Sequence, residues 1–168
     1  MARWQPGASL RLERAALELF ARQGFTDTTV PQIAARAGLT TRSFFRHFAD
    51  KREVLFTADK EFPARVASLM AAAPDGLSLM ELISWGLHTI AETTLQDQKE
   101  YLRARQAVIR TDEGLRERDL RKQAALGEAI AHALAGLTDA LTATVAGQIA
   151  ALVSSTAVER WLDSDGDT

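Results

Sequence analysis

The chain has 168 residues, of which 46% are hydrophobic and 25% charged, and its formal net charge is −2. These values are typical of a globular protein with one domain or two small ones. The absence of cysteine excludes disulfide frameworks, thiolate metal sites and cysteine nucleophiles, and favours a reducing cytoplasm. The first ten residues lack the apolar core of a signal peptide, and we expect no run long and apolar enough to span a membrane.

The charges are unevenly distributed. Residues 1–55 carry nine Lys or Arg against five acidic residues, a net charge of +4, whereas residues 56–168 carry a net charge of −6. A basic N-terminal third followed by an acidic remainder is typical of a protein whose head binds a polyanion.

Nearly the whole chain predicts helix, because apolar residues recur at helical spacing and no segment alternates apolar with polar residues. The first helix is predicted from Ser9, as N-cap, to the Gln23-Gly24 pair. Residues 25–55 then predict a helix-turn-helix. Its first helix carries an apolar stripe at i, i+3, i+4 and i+7, formed by Val30, Ile33, Ala34 and Ala37.

The second helix of this pair has two different faces. Gly38 supplies the turn before it and Thr40 is placed as its N-cap. Phe44 and Phe48, four residues apart, face inward. The remaining surface carries Thr41, Arg42, Ser43, Arg46 and His47. Such a surface is poor as an enzyme site and suits insertion into a DNA major groove.

Further helices are predicted along the rest of the chain. One begins near Asp50-Lys51 and is kinked or restarted by Pro63. Another is capped by Ser78, with Glu81 completing a capping box. The remaining helices are expected at about 100–110, 113–134 and 138–162.

The last helix carries two apolar stripes. One is large, with Leu141, Val145, Ile149, Leu152 and Thr156, and the other is small, with Ala143, Gly147, Ala150, Ser154 and Ala157. We expect the large stripe to face the domain core and the small stripe to allow close approach of a second copy. The alternative is a central core helix within one chain.

Charges alternate in sign from Asp112 to Lys122, with possible i, i+4 pairs at Asp112–Arg116 and Glu117–Arg121. This pattern favours a solvated helix face with weak ion pairs. A second basic binding site is the other reading.

Residues at fixed spacing over the first third of the chain resemble the TetR-type transcriptional regulators. The matching residues are Arg14, Ala16, Leu19, Phe20, Gly24, Thr28, Thr29, Val30, Ile33, Ala34, Ala37, Gly38, Phe45, His47, Phe48, Lys51 and Leu55. The resemblance implies an all-α protein with a three-helix, helix-turn-helix DNA-binding domain at 1–55. A helical ligand-binding and dimerisation domain would follow at 56–168. The Phe-Phe pair is similar to a branch that often carries an acyl-CoA-type ligand domain.

The resemblance also implies a homodimer that binds a palindromic double-stranded DNA operator. Positions that commonly touch the DNA backbone in the family are occupied by Thr28, Thr40, His47 and Lys51. Thr29, at the start of the first helix of the pair, can hold a phosphate through its hydroxyl and backbone N–H. Thr41, Arg42 and Ser43 are the predicted base readers.

Alternatives remain at two of these positions. Arg42 could contact a phosphate without reading sequence, and Lys51 could be an ordinary surface lysine. Phe45 replaces the tyrosine usual in the family, so we assign it packing and van der Waals contact with the DNA backbone only. Arg46 belongs to the exposed DNA-facing surface.

An effector pocket is expected between the helices at 51–73, 78–95, 100–110 and 113–134. Its predicted lining is Phe62, Met70, Met80 and Trp85, and its predicted polar anchors are His88, Arg103 and Arg105. If the effector is an acyl-CoA, an arginine would meet its phosphates. Trp85 could instead simply pack under a neighbouring helix.

Enzymatic chemistry has no positive support, because the three histidines lie in separate segments and no phosphate-loop, nucleophile-elbow or zinc-protease motif occurs. We predict no cofactor, metal or catalytic residue. The sequence therefore predicts a repressor that a small molecule, an acyl-CoA or another amphipathic or hydrophobic compound, releases from DNA. A DNA-binding protein without an effector, or a small helical ligand-binding protein or enzyme, is the alternative.

Overall fold

The computed structural model describes residues 7–57, 61–95 and 98–164, and these ranges contain eight α-helices and no strand. The predicted all-α class is thereby confirmed. The helices are α1 Ala8–Gln23, α2 Val30–Arg36, α3 Thr41–His47, α4 Phe62–Ala72, α5 Leu79–Ile90, α6 Lys99–Thr111, α7 Glu113–Leu134 and α8 Ala140–Asp163.

The chain forms two compact units. The first contains the described residues up to Thr57 together with Ala104–Arg116, and the second contains the rest. The sequence-based division at 55/56 did not include residues 104–116 in the first unit. The core of the first unit is built mainly from side chains exposed by 4% or less: Leu12, Ala16, Phe20, Ile33, Ala34, Phe44, Phe48, Val54, Leu55, Phe56, Val108, Ile109 and Leu115.

Helix α1 begins two residues earlier than predicted, because its N-cap is Gly7 and not Ser9. Gly7 precedes it with φ 102°, a left-handed conformation that favours glycine, and the Ser9 hydroxyl donates to Glu13 Oε1 at 2.9 Å instead of capping the helix. The predicted end is confirmed, since Gly24 has φ 86° and its N–H donates to the carbonyl of Phe20.

The region around Pro63 differs from the prediction. A helix does not run from Asp50; a 3₁₀ turn occupies Glu53–Leu55 and α4 begins only at Phe62. Pro63 lies in the first turn of α4, where its missing N–H costs nothing. Pro63 therefore marks the start of a separate helix, and the predicted helix from Asp50 that it was to kink or restart is wrong.

Capping determines the ends of the helices in the second unit. The Ser78 hydroxyl and the Glu81 carboxylate form the predicted capping box of α5. Helix α7 has the predicted bounds. Helix α8 begins at Ala140 and not at the predicted residue 138, because Asp139 is its N-cap and accepts from the N–H groups of Leu141 and Thr142. On α7 the Glu117–Arg121 pair forms.

The two stripes of α8 are oriented opposite to the prediction. Ala143 and Ala150, in the small stripe, are each 2% exposed, whereas Leu141 in the large stripe is 74% exposed. The small stripe faces α7 of the same chain: a Cβ added to Gly147 would lie 2.4 Å from the carbonyl oxygen of Gly127. Ala143, Gly147 and Ala150 are inside because only small residues permit this close helix–helix contact.

A second expectation about α8 is also wrong. Residues 140–158 carry no charged side chain, and α8 is long and apolar enough to span a membrane by length and composition alone. One part of these apolar residues is the small stripe, which is apolar because it packs against α7. The other part forms the outer face of α8, which we define as Leu141, Val145, Ile149 and Leu152, all exposed.

Candidate nucleic-acid interface and effector cavity

Helix α3 is anchored by its aromatic residues and capped at its start. Phe44 and Phe48 are at most 1% exposed and their rings pack 5.3 Å apart. Thr40 is the predicted N-cap, and its hydroxyl accepts from the Ser43 N–H at 3.1 Å. The anchoring fixes which side of α3 meets solvent.

The solvent side of α3 carries cations and one aromatic ring. Arg42 and Arg46 are exposed, and Phe45 is 55% exposed with its ring edge-on to Phe44. Thr41 and Ser43 are half-buried beside them. Since Phe45 lies largely outside the core, the structure leaves it little of the packing role that the sequence suggested.

The turn before α3 is tight and hydrogen-bonded. Gly38 has φ 66°, a conformation in which a side chain is strained. The Leu39 N–H donates to the carbonyl of Ala34 at 2.8 Å. This turn sets the angle at which α3 leaves α2.

The start of α2 is held by a residue that the sequence analysis missed. Gln32 Oε1 accepts from the Thr29 N–H at 2.8 Å, and the Thr29 hydroxyl lies 3.1 Å from the same oxygen. Thr29 and Gln32 form a capping box, in which the Gln32 side chain accepts from the Thr29 N–H and the Thr29 side chain accepts from the Gln32 N–H. Its signal, Thr29 followed three residues later by Gln32, is present in the sequence. The Thr29 N–H and hydroxyl are therefore already engaged within the protein.

Thr28 is not at the surface. Its side chain is 0% exposed and its hydroxyl donates to the carbonyl of Gly24 at 2.8 Å. The predicted side-chain contact with DNA is therefore wrong in this structure, because the hydroxyl is satisfied internally between α1 and α2.

Lys51 has a structural role in place of the predicted phosphate contact. Its Nζ donates to the carbonyls of Phe25, Thr26 and Thr28 at 2.7, 3.1 and 2.9 Å, which occupies all three ammonium donors. The ammonium also lies 4.4 Å from the centre of the Phe25 ring. Burial lowers the pKa of Lys51. Lys51 thus ties the loop between α1 and α2 to the segment after α3.

His47 is half-buried at the end of α3. Its Nε2 is buried without a hydrogen-bond partner among the described residues. A phosphate contact by this residue would therefore have to use Nδ1.

In the second unit, an apolar inner cavity of about 70 Å³, partly open at the surface, lies among four helices. Its lining is Val66, Leu69 and Met70 of α4; Leu82, Ile83, Trp85, Gly86, Leu87 and Ile90 of α5; Leu126, Ile130 and Leu134 of α7; and Ala150 and Ser154 of α8. Helix α8 therefore contributes to the cavity, which the sequence analysis did not anticipate. Of the predicted lining residues, Met70 and Trp85 are in place, and the side chain of Phe62 lies outside the described residues.

The three predicted polar anchors lie elsewhere. His88 is exposed, with Nδ1 2.9 Å from the carbonyl of Ser84. Arg103 donates to the carbonyls of Leu162 and Ser164 at 2.7 and 2.9 Å, at the C-terminal end of α8, where carbonyl groups are free to accept.

Arg105 belongs to the first unit. It is 9% exposed, donates to the carbonyl of Leu55 and lies over the Phe56 ring at 5.0 Å. Its assignment as an effector anchor is therefore wrong, since the guanidinium is part of the core beneath the 3₁₀ turn.

An open outer groove lies between α5 and α8 of the second unit, with a volume of about 550 Å³. Its lining is Leu79, Met80, Ile83, Ser84, Leu87, Leu141, Thr142, Val145, Ala146, Ile149, Ala150 and Val153. Met80, predicted to line the effector pocket, is 70% exposed at this groove. Over the residues that the structure describes, no group of three His, Asp or Glu is placed to hold a metal ion.

Comparison with known proteins gives a consistent result. Residues 13–58 match the model of bacterial regulatory proteins of the tetR family. The HTH-type transcriptional regulator TcmR of Streptomyces glaucescens is 36% identical over 80 residues, which is 48% of this chain and 35% of TcmR. MftR of Mycobacterium tuberculosis, named as a transcriptional regulator of mycofactocin biosynthesis, is 30% identical over 155 residues, 88% of this chain and 76% of MftR.

Solved structures share the fold. The SmeT–triclosan complex superposes with a TM-score of 0.62 at 19% identity, covering 95% of this chain and 82% of SmeT. A TetR-family regulator from Syntrophomonas wolfei gives 0.66 at 14% identity, covering 92% and 83%. The relatives are DNA-binding regulators and not enzymes. With an alignment to MftR that is 30% identical and spans 76% of that protein, and a helix-turn-helix that matches the family model, this chain belongs to the TetR family of transcriptional regulators.

Proposed function

We propose that this protein is a cytoplasmic repressor that binds a palindromic operator as a homodimer and leaves it when a small molecule binds. The main support for this proposal is the solvent side of α3, where an anchored helix presents Arg42, Arg46 and the ring of Phe45. An α-helix of this size fits the major groove of DNA.

The contacts divide into reading and positioning. Arg42, Thr41 and Ser43 lie in the first turn of α3, and Arg42 can make the bidentate contact to guanine that gives about 1–3 kcal/mol of discrimination. Thr40, Arg46 and Nδ1 of His47 are the proposed phosphate contacts. The Thr29 N–H and hydroxyl are engaged with Gln32, so a phosphate near Thr29 would meet only the N-terminal end of the short helix α2. Phe45 would cover sugar atoms of the DNA backbone.

The outer face of α8 supports a homodimer. Leu141 is 74% exposed, Leu152 63% and Ile149 52%, and contiguous apolar patches of this kind mark interaction surfaces, of which an interface between subunits is one. A two-fold dimer would present two α3 helices to successive major grooves, about 34–36 Å apart. Such a dimer requires a palindromic operator.

The inner cavity supports the response to an effector. Helix α4 lines it through Val66, Leu69 and Met70 and is the first helix after the DNA-binding unit in the chain. An effector that stabilises one conformation of the cavity would shift the spacing of the two DNA-binding units away from that of the operator. A solved structure is that of a SmeT–triclosan complex, so a hydrophobic effector is the class to test first.

The test begins with DNA from upstream of the protein's own gene and, in parallel, a random-sequence pool from which the protein selects its own site. We expect salt-sensitive binding to a palindrome, and loss of about 5- to 100-fold in specific affinity for Arg42→Ala. The control is Arg121→Ala, which removes a cation from the exposed surface of α7 without touching α3. Equal losses in both variants, or selection of no palindrome, would contradict the proposal.

A further inference from the structure

We infer that the inner cavity takes a small, uncharged, apolar molecule of about one aromatic ring, and that neither an acyl-CoA nor a carboxylate is its ligand. The inference concerns what binds the cavity. Its regulatory consequence rests on the proposed function.

The chemistry of the lining excludes charge. Every lining side chain is apolar except the Ser154 hydroxyl and the indole N–H of Trp85. Burying an ion without a partner is prohibitively unfavourable, and the arginines that could have met a phosphate, Arg103 and Arg105, are engaged with backbone carbonyls elsewhere. A neutral apolar ligand has no charge to desolvate on entering such a site.

The size of the cavity limits the ligand. An apolar cavity of about 150 Å³ is known to hold benzene, so the present volume of about 70 Å³ must grow for even one ring. Met70 is half-buried in the lining, and a methionine side chain has three rotatable bonds with which to give way. Met70, on α4, is therefore the lining side chain that can most readily make room for a ring.

Gly86 creates part of the space. It lies inside α5, where glycine is less favourable than alanine in a helix. A Cβ built on it meets nothing within 4 Å, and the residue belongs to the cavity lining. A helix interior that forgoes a side chain beside empty, apolar space has the form of a ligand site rather than of a filled core.

The experiment compares toluene with benzoate, which has the same ring and a carboxylate in place of the methyl group. Melting temperature is followed by circular dichroism with each compound at several millimolar, and octanoyl-CoA is the third probe. We expect toluene to raise Tm by a few degrees and the two charged probes to leave it unchanged.

Three variants locate the effect. Gly86→Leu should fill the space and abolish the toluene shift, whereas Gly86→Ala should retain most of it. Should Gly86→Leu fail to fold, Met70→Ala keeps the test open, because it enlarges the cavity and should increase the toluene shift. A Tm shift with benzoate or octanoyl-CoA equal to that with toluene would overturn the inference. The inference would also be overturned if the toluene-induced rise in Tm persisted in folded Gly86→Leu and did not increase in Met70→Ala.

Operator binding is measured separately. If toluene raises Tm through the cavity but leaves operator affinity unchanged, the ligand class stands and the proposed response to this ligand fails. If toluene also weakens operator binding, and Gly86→Leu abolishes this weakening, both the ligand class and the proposed response to the ligand stand.

Discussion

Replacing Gly147 by alanine tests how closely α7 and α8 pack. The new Cβ would lie 2.4 Å from the carbonyl oxygen of Gly127, 2.7 Å from the backbone nitrogen of Ala131 and 2.9 Å from its Cβ. Two of these three atoms belong to the helix backbone, so no side-chain rotation relieves the overlap and the helices must separate.

The free energy of unfolding is the difference of two terms. Overpacking costs about 1–3 kcal/mol. Because the added Cβ would lie so close to backbone atoms, we expect Gly147→Ala to fall toward the upper end of this range. Replacing a glycine inside a helix by alanine returns about 0.5–1 kcal/mol. We therefore expect Gly147→Ala to lose about 1–2 kcal/mol and roughly 3–6 °C in Tm for a chain of this size.

Gly86→Ala is the matched control. It makes the same chemical change inside a neighbouring helix, where the added Cβ meets nothing within 4 Å. Only the helix-propensity gain applies, so Tm should rise by about 1–3 °C.

The assay is thermal and urea unfolding followed by circular dichroism, with all three proteins at equal concentrations because dimerisation would make Tm concentration-dependent. Opposite signs for the two variants are the expected result. If Gly147→Ala were as stable as the parent chain, the helices would separate freely, and close approach would not explain why the small stripe faces inward.

Three further predictions concern other parts of the molecule. Leu141→Glu with Ile149→Glu should halve the solution mass measured by sedimentation, while Leu120→Glu, on α7 at a residue whose exposure lies between those of Leu141 and Ile149, should leave it unchanged; a dimer that survives the double change would contradict an interface at the outer face of α8. Lys51→Met leaves three carbonyls without their donor and should cost roughly 2–3 kcal/mol of stability without changing the salt slope of DNA binding. If the slope of log affinity against log salt concentration fell by about one in Lys51→Met, Lys51 would contact a phosphate in the DNA complex. Burial raises the pKa of Glu13 above its ordinary 4.5, so stability should fall as pH rises from 4.5 through that higher pKa; Glu13→Gln should flatten this part of the Tm–pH profile, and an unaltered profile would contradict the assignment.

Local signals allowed much of the fold to be predicted. The capping box at Ser78 and Glu81, the turn at Gly38 and the bounds of α7 depend on residues within four positions of one another, and such short-range chemistry is readable along the chain. The inward aromatic side of α3 was predictable for the same reason.

Side chains that reach across the fold could not be placed in this way. Lys51 meets carbonyls more than twenty positions earlier in the chain, and Arg105 meets one fifty positions earlier. Both look like free surface cations in a sequence. A buried backbone carbonyl that needs a donor has no sequence signature, so the most prominent errors fell on long cationic side chains.

Helix α8 shows why an amphipathic pattern does not reveal its own orientation. Its large and small stripes are both apolar, and hydrophobic transfer alone favours burying the large one. The small stripe is buried because Gly147 meets Gly127 and Ala131 on α7, and close packing of two helix backbones requires small residues on both. The pairing was visible only once α7 and α8 were placed together. It follows that substitutions in the small stripe test folding, and that substitutions in the outer face of α8 test association between copies.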